Sequence, residues 1–192
     1  MSSKRQIPLA LTSLRAFLAP VVVVLALGYP SQAGFALCLT AAFVSDIFDG
    51  VVARRLNVVT ANLRRMDSIV DTAFYGCVAF AVLHLYPSVV AQHRVALIVL
   101  VALEIARYVF DFRKFGREAS YHMWSSKLWG IALFAGMFSL LALGRAGIMF
   151  AAAIYVGIIA DIEGLAISVL LSEWRADVAT FVHAYRGRVA DT

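Results

Sequence analysis

The sequence predicts an all-α, polytopic membrane protein with six transmembrane helices in one bundle and both termini in the cytoplasm. Of its 192 residues, 62% are hydrophobic and 15% are charged, with a mean hydropathy of +0.83. Soluble domains average about 45–50% apolar and about 25% charged residues. Six apolar stretches approach the roughly 20 residues that a span requires; they are Leu9–Gly28, Ala33–Val52, Ile69–Tyr86, Val95–Phe112, Trp124–Leu143 and Ile148–Leu171.

The first stretch is interpreted as a retained membrane helix. Lys4 and Arg5 before it resemble the start of a signal peptide, but the apolar run is too long and no small-residue cleavage site closes it. Short turn signals separate the later spans, at 29–32, 86–88 and 144–147. The length fits a single domain over residues 1–192, with residues 1–8 as a juxtamembrane segment and 173–192 as a cytoplasmic tail.

Basic residues alternate between the predicted connections. They concentrate before the first span, after the second, after the fourth and in the tail, at Lys4, Arg5, Arg54, Arg55, Arg64, Arg65, Arg113, Lys114, Arg117, Arg175, Arg186 and Arg188. The positive-inside rule then places these segments in the cytoplasm, which predicts a multi-pass protein of the inner (plasma) membrane. It also explains the +5 net charge without a nucleic-acid partner.

Four aspartates at the ends of two predicted spans are the main candidates for function. Asp46, Asp49, Gly50 and Ala53 share one helical face, and Asp67 and Asp71 lie one turn apart. Carboxylates beside hydrocarbon are costly, so such residues indicate a functional site. An antiparallel helix pair joined through residues 55–66 is expected to bring the two acidic faces together.

Four clustered carboxylates repel one another unless cations are bound. Oxygen-only ligands favour Mg²⁺ or Mn²⁺, and two such ions can stabilise displacement at phosphorus. Arg54 beside the stripe is suited to a phosphate or pyrophosphate oxygen. The alternative is structural: the aspartates would cap helices or pair with the neighbouring arginines.

This run resembles the signature of the CDP-alcohol phosphotransferases (CDP-alcohol phosphatidyltransferases), which are integral membrane enzymes of phospholipid synthesis. Their pattern is Asp-x2-Asp-Gly-x2-Ala-Arg-x8-Gly-x3-Asp-x3-Asp. It is matched by Asp46, Asp49, Gly50, Ala53, Arg54, Asp67 and Asp71. Leu63 replaces the second glycine. Upstream, a weaker likeness to the family's N-terminal segment involves Pro8, Leu11, Thr12, Arg15 and Pro20.

The resemblance implies roles for these residues. Two Mg²⁺ or Mn²⁺ ions would be bound by Asp46, Asp49, Asp67 and Asp71, and Asp71 would also be the catalytic general base. The CDP moiety would contact Asp49, Gly50, Ala53 and Arg54. The implied reaction transfers a phosphatidyl group from CDP-diacylglycerol to a small alcohol and releases CMP. A homodimer is also expected from the likeness.

Arg107 and Lys127 are predicted to bind the acceptor, which favours a phosphorylated alcohol such as glycerol 3-phosphate or an inositol phosphate. For Arg107 the alternative is an ion pair within its helix, with Glu104 or Asp111. Asp161 and Glu163, buried in the last span, need partners and are expected to neutralise Arg107 or line a polar cavity. Two other functions stay open: a divalent-cation transporter with an acidic intramembrane site, and a catalytically silent relative because of Leu63.

Overall fold

The computed structural model describes residues 6–56, 61–117, 121, 123–176 and 178–190; the side chains of 6–8, 53–54, 61–64 and 186–190 lie outside the described part. Within these ranges the regular structure is helical and contains no strand, as the sequence predicts. The helices are α1 (Gln6–Leu27), α2 (Gln32–Arg55), α3 (Ala61–Leu85), α4 (Pro87–Gln92), α5 (Arg94–Phe115), α6 (Trp124–Leu141), α7 (Ile148–Leu170) and α8 (Phe181–Ala190).

Five of the described helices, α1, α2, α3, α6 and α7, are long and apolar enough to cross a membrane. The chain is therefore a multi-pass membrane protein. The predicted fourth span also forms a helix, α5, of 22 residues. It is not one of the five because Glu104, Arg107 and Asp111 interrupt its apolar sequence. A sixth crossing and the cytoplasmic location of both termini stay predictions.

The third helix begins earlier than its apolar stretch. The sequence predicts a span from Ile69, whereas α3 starts at Ala61. Hydropathy identifies only the part of a helix that is apolar enough for the membrane. The backbone hydrogen bonds of the helix also include the polar residues before that part, so the helix starts earlier. Asp67 and Asp71 consequently both lie inside α3, on one face of a regular helix.

The helices fall into two compact units: residues 1–90 with 137–145, and residues 91–136 with 146–192. In the first unit α1 packs against both α2 and α3. Each of the three helices uses residues at alternating spacings of three and four, which form a stripe along one face. These residues are Thr12, Arg15, Ala19, Val22 and Ala26 on α1, Phe35, Cys38, Ala42, Ser45 and Asp49 on α2, and Asp67, Asp71, Phe74, Val78 and Ala81 on α3.

In the second unit α7 packs against α5 and α8. Small residues on α7 permit close approach: a Cβ at Gly157 would lie 2.6 Å from Trp129 Nε1, and one at Gly164 would lie 3.0 Å from the Arg107 side chain. The C-terminal segment belongs to this core. Val178 and Ala184 are buried in a hydrophobic cluster with Tyr121, Met123, Ile167 and Leu171. The single-domain organisation expected from the length stays a prediction.

Candidate active site

The buried stripes of α1, α2 and α3 change from apolar to polar at the same end of the first unit. Thr12 and Arg15 lie in the first half of α1, Asp49 near the end of α2, and Asp67 near the start of α3. The 3–4 spacing that buries Val22, Phe74 and their neighbours therefore also directs the charged side chains inward. The packing of three helices, rather than a simple α2–α3 hairpin, assembles the site, since α1 contacts both partners.

The predicted convergence of the acidic residues is confirmed. Asp46, Asp49 and Asp67 each offer a carboxylate oxygen, and these oxygens all lie within 4.8 Å of one another. Their side chains differ in exposure, at 50%, 8% and 31%. Asp71 joins the group through a shared cationic partner and is 31% exposed. The cluster is thus buried at Asp49, while its other three carboxylates are accessible to solvent.

The shared partner is Arg15, which is 1% exposed. One terminal nitrogen, Nη1, donates to Asp46 at 3.1 Å and to Asp71, and the other, Nη2, donates to Asp49 and Asp67. Thr12, one turn earlier, donates from Oγ1 to Asp49 Oδ2 at 3.3 Å. One guanidinium and four carboxylates leave three formal negative charges in the cluster.

Arg15 was not among the residues predicted for the site, although Thr12 and Arg15 belong to the N-terminal segment that resembles the family's. A usable signal was present. A single arginine inside an apolar span, away from its ends, needs a counter-charge, and the acidic residues are the nearest source in the sequence. Spacing within α1 does not identify which of them it meets.

The residues present fit a divalent cation. Ligands on opposite sides of Mg²⁺ lie about 4.2 Å apart, since each metal–oxygen distance is about 2.1 Å. Three carboxylate oxygens within 4.8 Å of one another require little movement to reach that geometry. The ligand set is oxygen only, as hard cations prefer. The excess negative charge also favours bound cations.

The other residues of the predicted CDP site follow the carboxylates on α2. Gly50 is half-buried beside Asp49. Ala53 and Arg54 belong to the last turn of α2, but their side chains lie outside the described residues. The same holds for Leu63, whose backbone is in α3. Their contacts with a nucleotide stay predictions.

The predicted acceptor residues lie in the second unit. Arg107 pairs with Glu104 of its own helix at 3.1 Å, and its Nε lies 3.5 Å from Asp161 Oδ1. Both expected partners, one intrahelical and one on α7, are therefore found. Lys127 is exposed, with its Nζ 4.6 Å from the centroid of the Trp124 ring. A role for Arg107 or Lys127 in acceptor binding stays a prediction.

Two further contacts in this unit were not predicted. Glu163 accepts a hydrogen bond from the backbone N–H of Phe181 at 3.1 Å, at the start of α8. It therefore caps α8 and is not the carboxylate that pairs with Arg107. Lys114 donates from Nζ to the carbonyls of Ser168 and Val169, at 2.8 and 3.0 Å. These are carbonyls of the last turn of α7, where a cation is favoured.

The chain was compared with known protein families, curated proteins and solved structures. The family model described as CDP-alcohol phosphatidyltransferase matches residues 5–162. The matched region contains α1, α2 and α3, which carry the carboxylate cluster, and α5 with Arg107. No curated protein and no solved structure matches the chain.

Proposed function

Because the chain belongs to the CDP-alcohol phosphatidyltransferase family, we propose that it transfers the phosphatidyl group of CDP-diacylglycerol to a small alcohol and releases CMP. The family implies a membrane transferase of phospholipid biosynthesis that uses a CDP-alcohol. The observation that carries the proposal is the convergence of Asp46, Asp49 and Asp67, with oxygens within 4.8 Å, next to Asp71.

Members of this family depend on divalent metals. Here Asp46, Asp49, Asp67 and Asp71 would hold two Mg²⁺ or Mn²⁺ ions. When bound, such ions neutralise the pyrophosphate and stabilise the charge that develops on the departing CMP. The dense negative charge of the cluster supports this assignment, because it is costly unless cations offset it.

Asp71 is proposed as the general base. Its Oδ1 accepts a hydrogen bond from Arg15, and the side chain is 31% exposed, so an incoming hydroxyl can reach the carboxylate. Asp71 takes the proton of the acceptor hydroxyl, and the oxygen attacks the phosphorus that carries the diacylglycerol. The bond from that phosphorus to the CMP oxygen breaks, and CMP leaves with the bonding electron pair.

The two substrates are assigned to two groups of residues. The CDP moiety is placed against Asp49, Gly50, Ala53 and Arg54, where small side chains permit close approach to the α2 backbone. Arg107 and Lys127 are proposed to bind the acceptor. Two cationic groups favour a phosphorylated alcohol, such as glycerol 3-phosphate or an inositol phosphate. We further expect a homodimer in the inner membrane with the site facing the cytoplasm.

The test is CMP release by purified protein in detergent. CDP-diacylglycerol is supplied with Mg²⁺ or Mn²⁺, and phosphorylated alcohols are compared with glycerol and inositol. Release should require the metal and a phosphorylated acceptor. Asp71→Asn should lower kcat by at least about 100-fold, as loss of a general base does. Glu173→Gln, the same carboxylate-to-amide change at an exposed residue that is not a member of the cluster, serves as the matched control.

No CMP release with any acceptor would contradict the proposed transfer, and full turnover by Asp71→Asn would contradict only the assignment of the base. The family match favours the transferase over a divalent-cation transporter. The silent-relative hypothesis is tested by Leu63→Gly, which should create or raise activity if Leu63 blocks the nucleotide. Metal uptake into liposomes without lipid donor would instead support the transporter.

A further inference from the structure

Arg15 has an unusual environment for a residue near the middle of an apolar helix. It is 1% exposed, and its two terminal nitrogens donate to carboxylates at four different positions. Two of these positions are on α2 and two are on α3. The guanidinium is therefore a hydrogen-bond donor and counter-charge shared by the acidic ends of both helices.

The fork of the guanidinium explains why an arginine fits this position. Its donors spread in one plane and can address several acceptors at once, whereas a lysine ammonium is a compact point charge. Four carboxylates without it would carry four negative charges, one of them almost fully buried at Asp49. An unpaired buried charge is strongly destabilising.

The same carboxylates are those that fit a divalent cation. Arg15 donates to Asp46, Asp49 and Asp67, and these three offer the oxygens that lie within 4.8 Å of one another. A guanidinium bound to these groups lowers the negative charge that a cation meets, and it repels the cation directly. Arg15 and a divalent cation would therefore interact with the same three carboxylates.

We propose that Arg15 is a built-in counter-ion of the carboxylate cluster, which stabilises the cluster without metal and competes with divalent cations for it. This inference rests on the proposed metal dependence. Arg15 acts through the carboxylates and not on the substrate, so it is a positioning residue that sets the affinity for metal.

The test uses Arg15→Met, which keeps an unbranched side chain but removes the charge and every donor. Arg15→Lys keeps the charge and loses the fork. Arg145→Met is the matched control, since Arg145 is exposed and lies in the turn after α6. Free Mn²⁺ is titrated against each full-length protein in detergent, without substrate, by electron paramagnetic resonance. Melting temperatures are recorded in EDTA and in Mn²⁺.

Arg15→Met should bind Mn²⁺ about tenfold tighter or better than the wild type. In EDTA its melting temperature should fall by about 5–10 °C, and Mn²⁺ should restore most of this loss. Arg15→Lys should keep an affinity close to that of the wild type, and Arg145→Met should change neither quantity. A variant that can be purified only in Mn²⁺ shows the same cation dependence, and its affinity is then measured by competition with a chelator.

Weaker Mn²⁺ binding by Arg15→Met would overturn the inference, because Arg15 would then organise metal ligands instead of competing. Unchanged stability in EDTA would also overturn it. A wild-type protein that binds no Mn²⁺ would overturn both the competition and the metal dependence of the proposed function. Failure of the inference alone is thus distinguishable, since the wild type would still bind metal and release CMP.

Discussion

Gly136 on α6 gives a quantitative test of the helix packing in the second unit. A Cβ at this position would lie 2.9 Å from the Cβ of Ala153 and 2.9 Å from the carbonyl oxygen of Met149. Non-bonded carbon atoms are optimally about 3.5–4.0 Å apart. Met149 presents a backbone atom, which cannot rotate away, so Gly136→Ala must displace part of a helix.

Overpacking of this kind costs about 1–3 kcal/mol. The substitution also gains about 0.5–1 kcal/mol, because alanine is a better helix former than glycine. Gly130→Ala on the same helix provides that gain alone, since nothing lies within 4 Å of a Cβ there. The difference between the two variants is therefore the steric cost.

The assay is thermal unfolding of purified protein in detergent, followed by tryptophan fluorescence. For a chain of this size, 1 kcal/mol shifts the melting temperature by about 2–4 °C, so Gly136→Ala should melt roughly 2–12 °C below Gly130→Ala. Adding Ala153→Gly should recover part of the loss, since it removes one of the two close contacts. If Gly136→Ala melts at or above Gly130→Ala, the close approach is not present in the protein.

Two predictions concern the C-terminal part of the second unit. Tyr121 is 4% exposed, and burial raises the pKa of its phenol above the ordinary value of 10.0, so its contribution to stability is present below about pH 10 and is lost as the pH rises further. Between about pH 9 and pH 11, the melting temperature of Tyr121→Phe should therefore fall less than that of the wild type. An equal fall in the melting temperatures of the two proteins would contradict this. Glu163→Ala should weaken the start of α8 by about 0.5–2 kcal/mol, because the N–H of Phe181 loses its acceptor. Hydrogen exchange of α8 amides should then rise severalfold, while Glu163→Gln, which keeps an acceptor oxygen, should stay near the wild type; equal exchange in all three proteins would rule out the cap.

The sequence was sufficient to place most helices. Apolar stretches of about 20 residues coincide with α1, α2, α6 and α7 within a few residues, because hydrocarbon length and helix rise fix the size of a span. The third span was predicted to begin at Ile69, but α3 begins eight residues earlier, at Ala61. The segment before Ile69 contains polar residues, which form helix although they lower the hydropathy. The predicted fourth stretch, Val95–Phe112, also coincides with a helix, α5, although its charged residues keep it out of the five described helices apolar enough to cross a membrane.

Most of the candidate site could also be predicted from the spacing of its residues in the sequence. Residues three, four and seven apart share a helical face whatever surrounds the helix, so the common faces of Asp46 with Asp49 and of Asp67 with Asp71 followed directly. That the two faces meet was an inference from the short connection, and the oxygens within 4.8 Å confirm it.

Which charged side chains pair depends on how the helices pack. Spacing defines the face of a helix but not the partner that this face meets, because partners come from helices distant in sequence. Arg15 and Asp71 are separated by 56 residues and are in contact. Asp161 pairs with Arg107, while Glu163, two residues later on the same helix, points to α8. In the sequence these two carboxylates were equivalent; the packing of α7 between α5 and α8 gives each a different partner.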